Sequence, residues 1–154
     1  KGNAQILLYY DYRCGACKRS HLQVEKFTAK HPEITTILRP LPILGGDSVK
    51  AALMAYDAAR AGKQHELHKE LINSSGLLPL VKLSQSLRVT LVDQFEDHWA
   101  FKYLENNYRQ SLSLDNKSVP LFVLSVGNKH QVLNGLDFDN SLELTYSELH
   151  NAAN

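Results

Sequence analysis

Ile6-Leu7-Leu8-Tyr9-Tyr10-Asp11-Tyr12-Arg13-Cys14-Gly15-Ala16-Cys17-Lys18 is the stretch on which the fold turns. Its first half is apolar, aromatic and β-prone, so residues 5–10 read as a buried strand. From Ala16 to about Lys30 the pattern becomes helical, with Leu22, Val24, Phe27 and Ala29 among polar residues, and His31-Pro32 ends it. Cys14 and Cys17 are the only two cysteines in the chain, and they stand at the junction between strand and helix. Thiols spaced in this way can cycle between dithiol and disulfide, and a helix N-terminus favours the thiolate of the first sulfur. The structural alternative is a static disulfide, but so short a loop constrains the unfolded chain little.

Outward from this stretch, Ile34 to Leu38 alternates with threonines and reads as a second strand. A proline-punctuated connection follows, Arg39-Pro40-Leu41-Pro42-Ile43-Leu44-Gly45-Gly46. Asp47 or Ser48 is expected to cap an alanine-rich helix from Val49 to Ala61, closed by Gly62. Gln64 to Asn73 and Leu78 to Leu87 are two further helices. Thr90 to Tyr108 is expected to be a third, because Leu91, Phe95, Trp99 and Tyr103 recur every four residues as a core-facing stripe. Helical periodicity then ends. Val119-Pro120-Leu121-Phe122-Val123-Leu124-Ser125-Val126 reads as a strand with proline near its start, where a strand tolerates one. Gly127-Asn128 is a turn, His130 to Leu133 a partner strand, and Asn140 to Asn151 a last helix.

Omitting the helical stretch, the order is β-α-β…β-β-α. The first half gives a parallel pair through a right-handed crossover, and the second adds an antiparallel hairpin. The expected fold is therefore α/β, a mixed sheet within one domain over 1–154, formed by about 1–47 and 114–154, with an all-helical insertion over about 48–113.

Bulk properties narrow the function further. A chain of 154 residues buries roughly 70% of its unfolded surface in a core and needs no disulfide to fold. A formal net charge of +1, with no block of like charges, argues against a nucleic-acid surface. No apolar run approaches the roughly 18 residues that span a bilayer. The chain opens Lys1-Gly2-Asn3, without methionine or an apolar signal segment, as expected of a processed or trimmed sequence.

Four segments, taken in order, resemble the DsbA-like thiol-disulfide oxidoreductases of the thioredoxin fold. Tyr10-Asp11-Tyr12-Arg13-Cys14-Gly15-Ala16-Cys17-Lys18 is similar to the family's aromatic-Asp-aromatic-x-Cys-x-x-Cys-Lys segment. Leu41-Pro42-Ile43-Leu44-Gly45 followed by Asp47-Ser48 is similar to the entry into its helical insertion. Val119-Pro120-Leu121-Phe122-Val123 stands where the family has its cis-proline loop, and Gly135 where a glycine follows the last strand. The resemblance implies that Cys14 is the attacking and attacked sulfur and Cys17 the resolving thiol. Gly15 and Ala16 between them, with Val119 and Pro120 opposite, would form the active-site surface, and the backbone of Val119 would hold an extended substrate by edge pairing. It also implies a bacterial periplasmic or otherwise extracytoplasmic setting, cysteine-containing protein substrates, a redox partner that resets the site, and no cofactor beyond the dithiol. An oxidase of folding proteins is favoured, with isomerase or reductase as alternatives. The residues assign no oligomeric state.

Three departures bear on redox strength. Leu8 occupies the place of a buried glutamate that assists proton transfer near the second sulfur. Gly15-Ala16 replaces the Pro-His of the strongest oxidants, and Ser118-Val119-Pro120 stands where many relatives have Gly-Thr-Pro. A milder oxidant is expected. Lys18 and Arg13 read as solvated surface residues that can lower the Cys14 pKa by charge, and Asp11 as a turn residue. Cys14, Cys17 and His21 are a possible metal-handling set, but no second CxxC or HxxxH completes a closed site, and no metal is assigned. His21, like His65 and His68, reads as a residue of a polar helix face. Trp99, Phe95 and Tyr103 read as core.

Overall fold

The structure, a computed structural model, describes residues 3–114, 118–137 and 139–154. Strand β1 (Ala4–Tyr10) leads into helix α1 (Gly15–Lys30), which crosses over to strand β2 (Thr35–Pro40), parallel to β1 with Ile6 opposite Thr36 and Leu8 opposite Leu38. Four helices follow: α2 (Gly46–Arg60), α3 (Gln64–Asn73), α4 (Leu80–Leu87) and α5 (Phe101–Ser113). Strand β3 (Leu121–Val126) returns antiparallel to β1, with Leu8 opposite Phe122. Strand β4 (Lys129–Leu133) pairs antiparallel with β3 across a turn in which Gly127 has φ +60°, and helix α6 (Ser141–Ala153) packs back on both. The strand order is β2-β1-β3-β4. This is the expected mixed β-α-β…β-β-α sheet with helices between β2 and β3. The start of its second part, at about residue 114, runs into residues 115–117, outside the described ones.

Alternation along β1 divides the core between the two faces of the sheet. Ile6, Leu8 and Tyr10 join Val24 and Phe27 of α1, Met54 and Ala58 of α2, Leu67 and Leu71 of α3, and Phe122 and Leu124 of β3. Tyr9 packs on the other face with Leu41 and Leu121. A third cluster, Ala52, Leu53, Ala100 and Leu104, packs α5 and the residue before it against α2.

Several expected elements shift. In α1 the buried face is Cys17, Ser20, His21, Val24 and Phe27, while Leu22 is 54% exposed and Ala29 is also exposed. Helix α2 begins at Gly46, capped by Gly45 at φ +108°; Asp47 lies in the first turn, and neither Asp47 nor Ser48 is the N-cap. Strand β3 starts after Pro120, not at Val119.

The largest correction concerns Thr90–Tyr108. Residues 91–100 form turns, and the helix begins only at Phe101. The apolar spacing marks partial burial of Leu91, Phe95 and Trp99 without marking a helix. The Trp99 indole N–H donates to Asp57 Oδ1 at 2.8 Å, His98 Nε2 meets Asp57 Oδ2 at 2.8 Å, and the Arg60 guanidinium lies 3.3 Å from the Trp99 ring centroid. These contacts fasten the segment to α2 as a wound loop. Phe95 and Trp99 are only partly buried, Tyr103 is exposed and stacks on Tyr56, and α5 buries Leu104, Asn107 and Ser111 instead.

Candidate active site

Tyr10 ends the interior strand, and the chain turns through Asp11, Tyr12 and Arg13 before α1 begins, so Cys14 falls at the N-cap. Its extended backbone (φ −84°, ψ 113°) leaves the side chain free to cap the helix, and the Cys17 backbone N–H donates to Cys14 Sγ at 3.0 Å. A sulfur in this place meets unpaired N–H groups and the positive end of the helix dipole, both of which favour a thiolate. Both cysteines are free thiols.

Their acidities are pushed apart. Cys14 is lowered to about 7, first by the hydrogen bond from the Cys17 thiol and further by the backbone N–H groups of Cys17 and Ala16, against burial and the negative charge of Asp11. Cys17 is raised far above the ordinary thiol range, because it gives its hydrogen bond to the Cys14 sulfur and is more deeply buried. Near neutrality one sulfur is a ready nucleophile and the other stays protonated.

Val119 and Pro120, joined by a cis peptide bond, lie opposite Cys14. The Val119 carbonyl is 3.8 Å from Cys14 Sγ and accepts from the thiol; Val119 is half-buried and Pro120 buried. The geometry thus brings together Cys14, Cys17, Val119 and Pro120. Gly15 lies exposed at the start of α1, and Ala16 packs partly against the core. Leu8 is buried in the cluster that also holds Cys17.

Asp11, expected as a turn residue, is the anchor of the site. Only 2% exposed, its carboxylate accepts from Arg13 N (2.8 Å), Ile43 N (2.9 Å), Leu44 N (3.0 Å) and Ser48 Oγ (2.7 Å). It binds the approach to Cys14 to the first turn of α2. Arg13 and Lys18 are not simply solvated: the Arg13 guanidinium donates to the Leu44 carbonyl, and the Lys18 ammonium to the Ser74 carbonyl. His21 and His68, expected on polar faces, are buried and face each other, whereas His65 is exposed as expected. One signal for His21 was present in the sequence, since position i+4 from Cys17 shares its helix face. Nothing in the sequence marks Asp11 as the shared acceptor of two loops. Among the described residues no group of three or more His, Cys, Asp or Glu is disposed to hold a metal.

No protein-family model matches the chain, and no curated protein matches it. Solved structures do. ScsC of Proteus mirabilis in a transitional conformation is 25% identical, with a TM-score of 0.81 over 97% of this chain and 68% of that one. A periplasmic thioredoxin-like protein from Salmonella enterica serovar Typhimurium is 22% identical, with a TM-score of 0.80 over 95% of this chain and 83% of that one. The thiol-disulfide exchange protein alpha-DsbA2 of Wolbachia pipientis is 22% identical, with a TM-score of 0.75 over 97% and 83%. In fold the chain is similar to these DsbA-like and ScsC thioredoxin-fold proteins, and its own two free thiols stand at the start of α1.

Proposed function

We propose that the chain introduces disulfides into cysteine-containing polypeptides outside the cytoplasm, with Cys14 as the exchanging sulfur and Cys17 as its resolving partner. The observation that carries this reading is the placing of Cys14 at the N-cap of α1. There its sulfur accepts from the Cys17 backbone N–H at 3.0 Å and lies 3.8 Å from the Val119 carbonyl, an arrangement that lowers the pKa of Cys14 and raises that of Cys17. Stabilising the Cys14 thiolate stabilises the reduced protein, so its disulfide is the better oxidant. A substrate thiolate attacks Cys14, Cys17 leaves, and a second substrate thiolate releases Cys14 from the mixed disulfide. A partner protein then restores the Cys14–Cys17 bond. The carbonyl of Val119, 3.8 Å from Cys14 Sγ, supports edge pairing of an extended substrate beside the sulfur. Gly15 and Ala16 supply no imidazole between the sulfurs, which supports an oxidant milder than the strongest members of the family. The extracytoplasmic setting is supported by the periplasmic neighbour.

Equilibration with glutathione buffers tests the reading. A reversible two-electron transition between about −100 and −280 mV is expected. Failure of Cys14 to exchange would overturn it. Refolding of a scrambled-disulfide substrate, run beside insulin reduction, separates oxidase from isomerase and reductase; faster insulin reduction than substrate oxidation would overturn the oxidase assignment.

A further inference from the structure

Thiol exchange as described leaves one buried polar assembly unused. Tyr10 Oη meets Tyr12 Oη at 3.2 Å, Tyr12 Oη meets His68 Nδ1 at 2.7 Å, and His68 Nε2 meets His21 Nε2 at 2.9 Å. The two tyrosines are 2% exposed and the two histidines 8%. Burying four such groups is costly unless each is hydrogen-bonded, and here each is.

The facing Nε2 atoms restrict the protons. One must carry hydrogen while the other presents a lone pair. If Tyr12 donates to His68 Nδ1, His68 donates through Nε2 to His21. If His21 donates instead, His68 donates through Nδ1 to Tyr12. The chain thus has two hydrogen-bonded states that interconvert when a proton enters at one end and another leaves at the other. Burial keeps it uncharged at rest, lowering His68 to about 3, with the neighbouring His21 and His65 contributing, and lowering His21 as well.

The assembly shares the buried face of α1 with the second thiol. Cys17 and His21 are four residues apart on the buried face of α1 and are therefore neighbours across one turn. Tyr10 is in the same core cluster as Cys17, and charge on Cys17 is among the causes that raise the tyrosine's pKa, behind its burial and Tyr12. Its two histidines also line a cavity of about 480 Å³ between α1, α3 and β2, together with Glu25, His65 and Lys69. Glu25 Oε1 stands 3.8 Å from His21 Nε2, and that side chain is 62% exposed. These are the titratable groups facing the pair from α1 and α3; β2 contributes only Thr36 and Leu38 to the cavity, and Tyr56 of α2 and Asp11 bear on Tyr10 and Cys17 respectively.

We infer that the His21–His68 pair, held in place by Tyr12 and Tyr10, carries the proton that Cys17 gains or loses in each exchange between the buried sulfur and the water of this cavity. The inference rests on the exchange reading above and supplies what Leu8 cannot. When a substrate thiolate attacks Cys14, a substrate–Cys14 bond forms, the Cys14–Cys17 bond breaks, and Cys17 departs with the electron pair. The assembly gives that thiolate a proton and recovers one from the cavity. In the reverse direction the Cys17 thiol passes its proton into the assembly, attacks Cys14 and expels the substrate thiolate. The histidines act on the sulfur and touch no substrate.

The test is single-turnover reaction of the oxidised protein with a cysteine peptide, acid-quenched and followed by mass spectrometry from pH 5 to 9. Wild type, Tyr12→Phe and His68→Asn are compared. Formation of the peptide–Cys14 disulfide is expected to slow at least about tenfold in both variants, with a changed pH profile. The alkylation profile of Cys14 should stay as in wild type, which a merely structural collapse would not allow. In heavy water the wild-type step should slow about twofold or more. Folded variants that match the wild-type rate within twofold at every pH overturn the inference, as does the absence of an isotope effect. If His68→Asn does not fold, Tyr12→Phe decides alone, since it removes one oxygen and keeps the ring. A wild type that forms no disulfide at Cys14 overturns the exchange reading and this inference with it. Normal exchange with insensitive variants overturns the inference alone.

Discussion

Ser48 donates its hydroxyl to the Asp11 carboxylate at 2.7 Å, and the two residues are 1% and 2% exposed. A serine in the first turn of α2 is thereby diverted from the helix end to a carboxylate that sits three residues before Cys14. The contact joins the segment carrying the sulfurs to the helices between β2 and β3. It also brings a negative charge near both thiols, which that charge makes less acidic.

Asp11→Asn should therefore move redox behaviour and stability in opposite directions. Removing the charge lowers the Cys14 pKa below about 7 and makes the disulfide more oxidising. An amide also cannot satisfy all the donors that the carboxylate accepts, and the loss should cost about 2–3 kcal/mol. Iodoacetamide alkylation against pH reads the first effect, and urea unfolding the second. An unchanged alkylation midpoint would count against the electrostatic role.

Leu8→Glu places a carboxyl among the residues that bury Cys17. It should speed release of substrate from the mixed disulfide by easing deprotonation of Cys17. Because burial raises the folded-state pKa of the new acid, stability is retained below the free value near 4.3 and falls as pH rises through the raised one. The rate of mixed-disulfide resolution checks the first expectation; an unchanged rate speaks against it.

The reduced and oxidised forms should diverge in stability with pH. Depressed in the fold to about 7 from an ordinary value of 9.0, Cys14 contributes stability that is full above 9 and lost as pH falls through 7. The raised Cys17 contributes stability that is full below its ordinary value of 9.0 and is lost at higher pH. The advantage of the reduced form should therefore rise between about pH 7 and 9, peak near 9 and fall above it. His68, depressed to about 3, adds a separate loss as pH falls below its ordinary 6.5. Urea midpoints of the two forms from pH 4 to 10 show both effects, and His68→Asn should flatten the acid limb.

Asp57→Ala removes the carboxylate that accepts from Trp99 and meets His98. The segment from 91 to 100 should loosen, with a red-shifted emission from the single tryptophan and about 1–3 kcal/mol less stability. Emission unchanged from wild type would mean that apolar packing alone fixes this loop.

What was legible in the sequence follows from how local each determinant is. The first strand, the helix after it and the Gln64–Asn73 helix are written in short-range periodicity, and the CxxC with Val119-Pro120 is written in residue identity. The Leu91-Phe95-Trp99-Tyr103 spacing misled because side chains can be buried at helical intervals along a chain fastened by polar contacts. Asp11 is the turn residue expected, but its further partners, like the burial of the His21–His68 pair, were missed for a related reason. Their partners, Ile43, Leu44 and Ser48 for one and the opposing ring for the other, come from segments that only the tertiary fold brings close. A buried polar residue and a solvated one look alike until the partner is in place.

The interior position of β1 has a further consequence. Hydrogen-bonded on both sides, by β2 and by β3, it should hold the slowest-exchanging amides in the chain, opening only with global unfolding. The sulfurs are thus mounted on the last part of the molecule to give way. On the proposed exchange reading, adaptation to differently shaped polypeptides would then fall to the Val119–Pro120 loop and the helices beyond β2, while the two sulfurs keep their place.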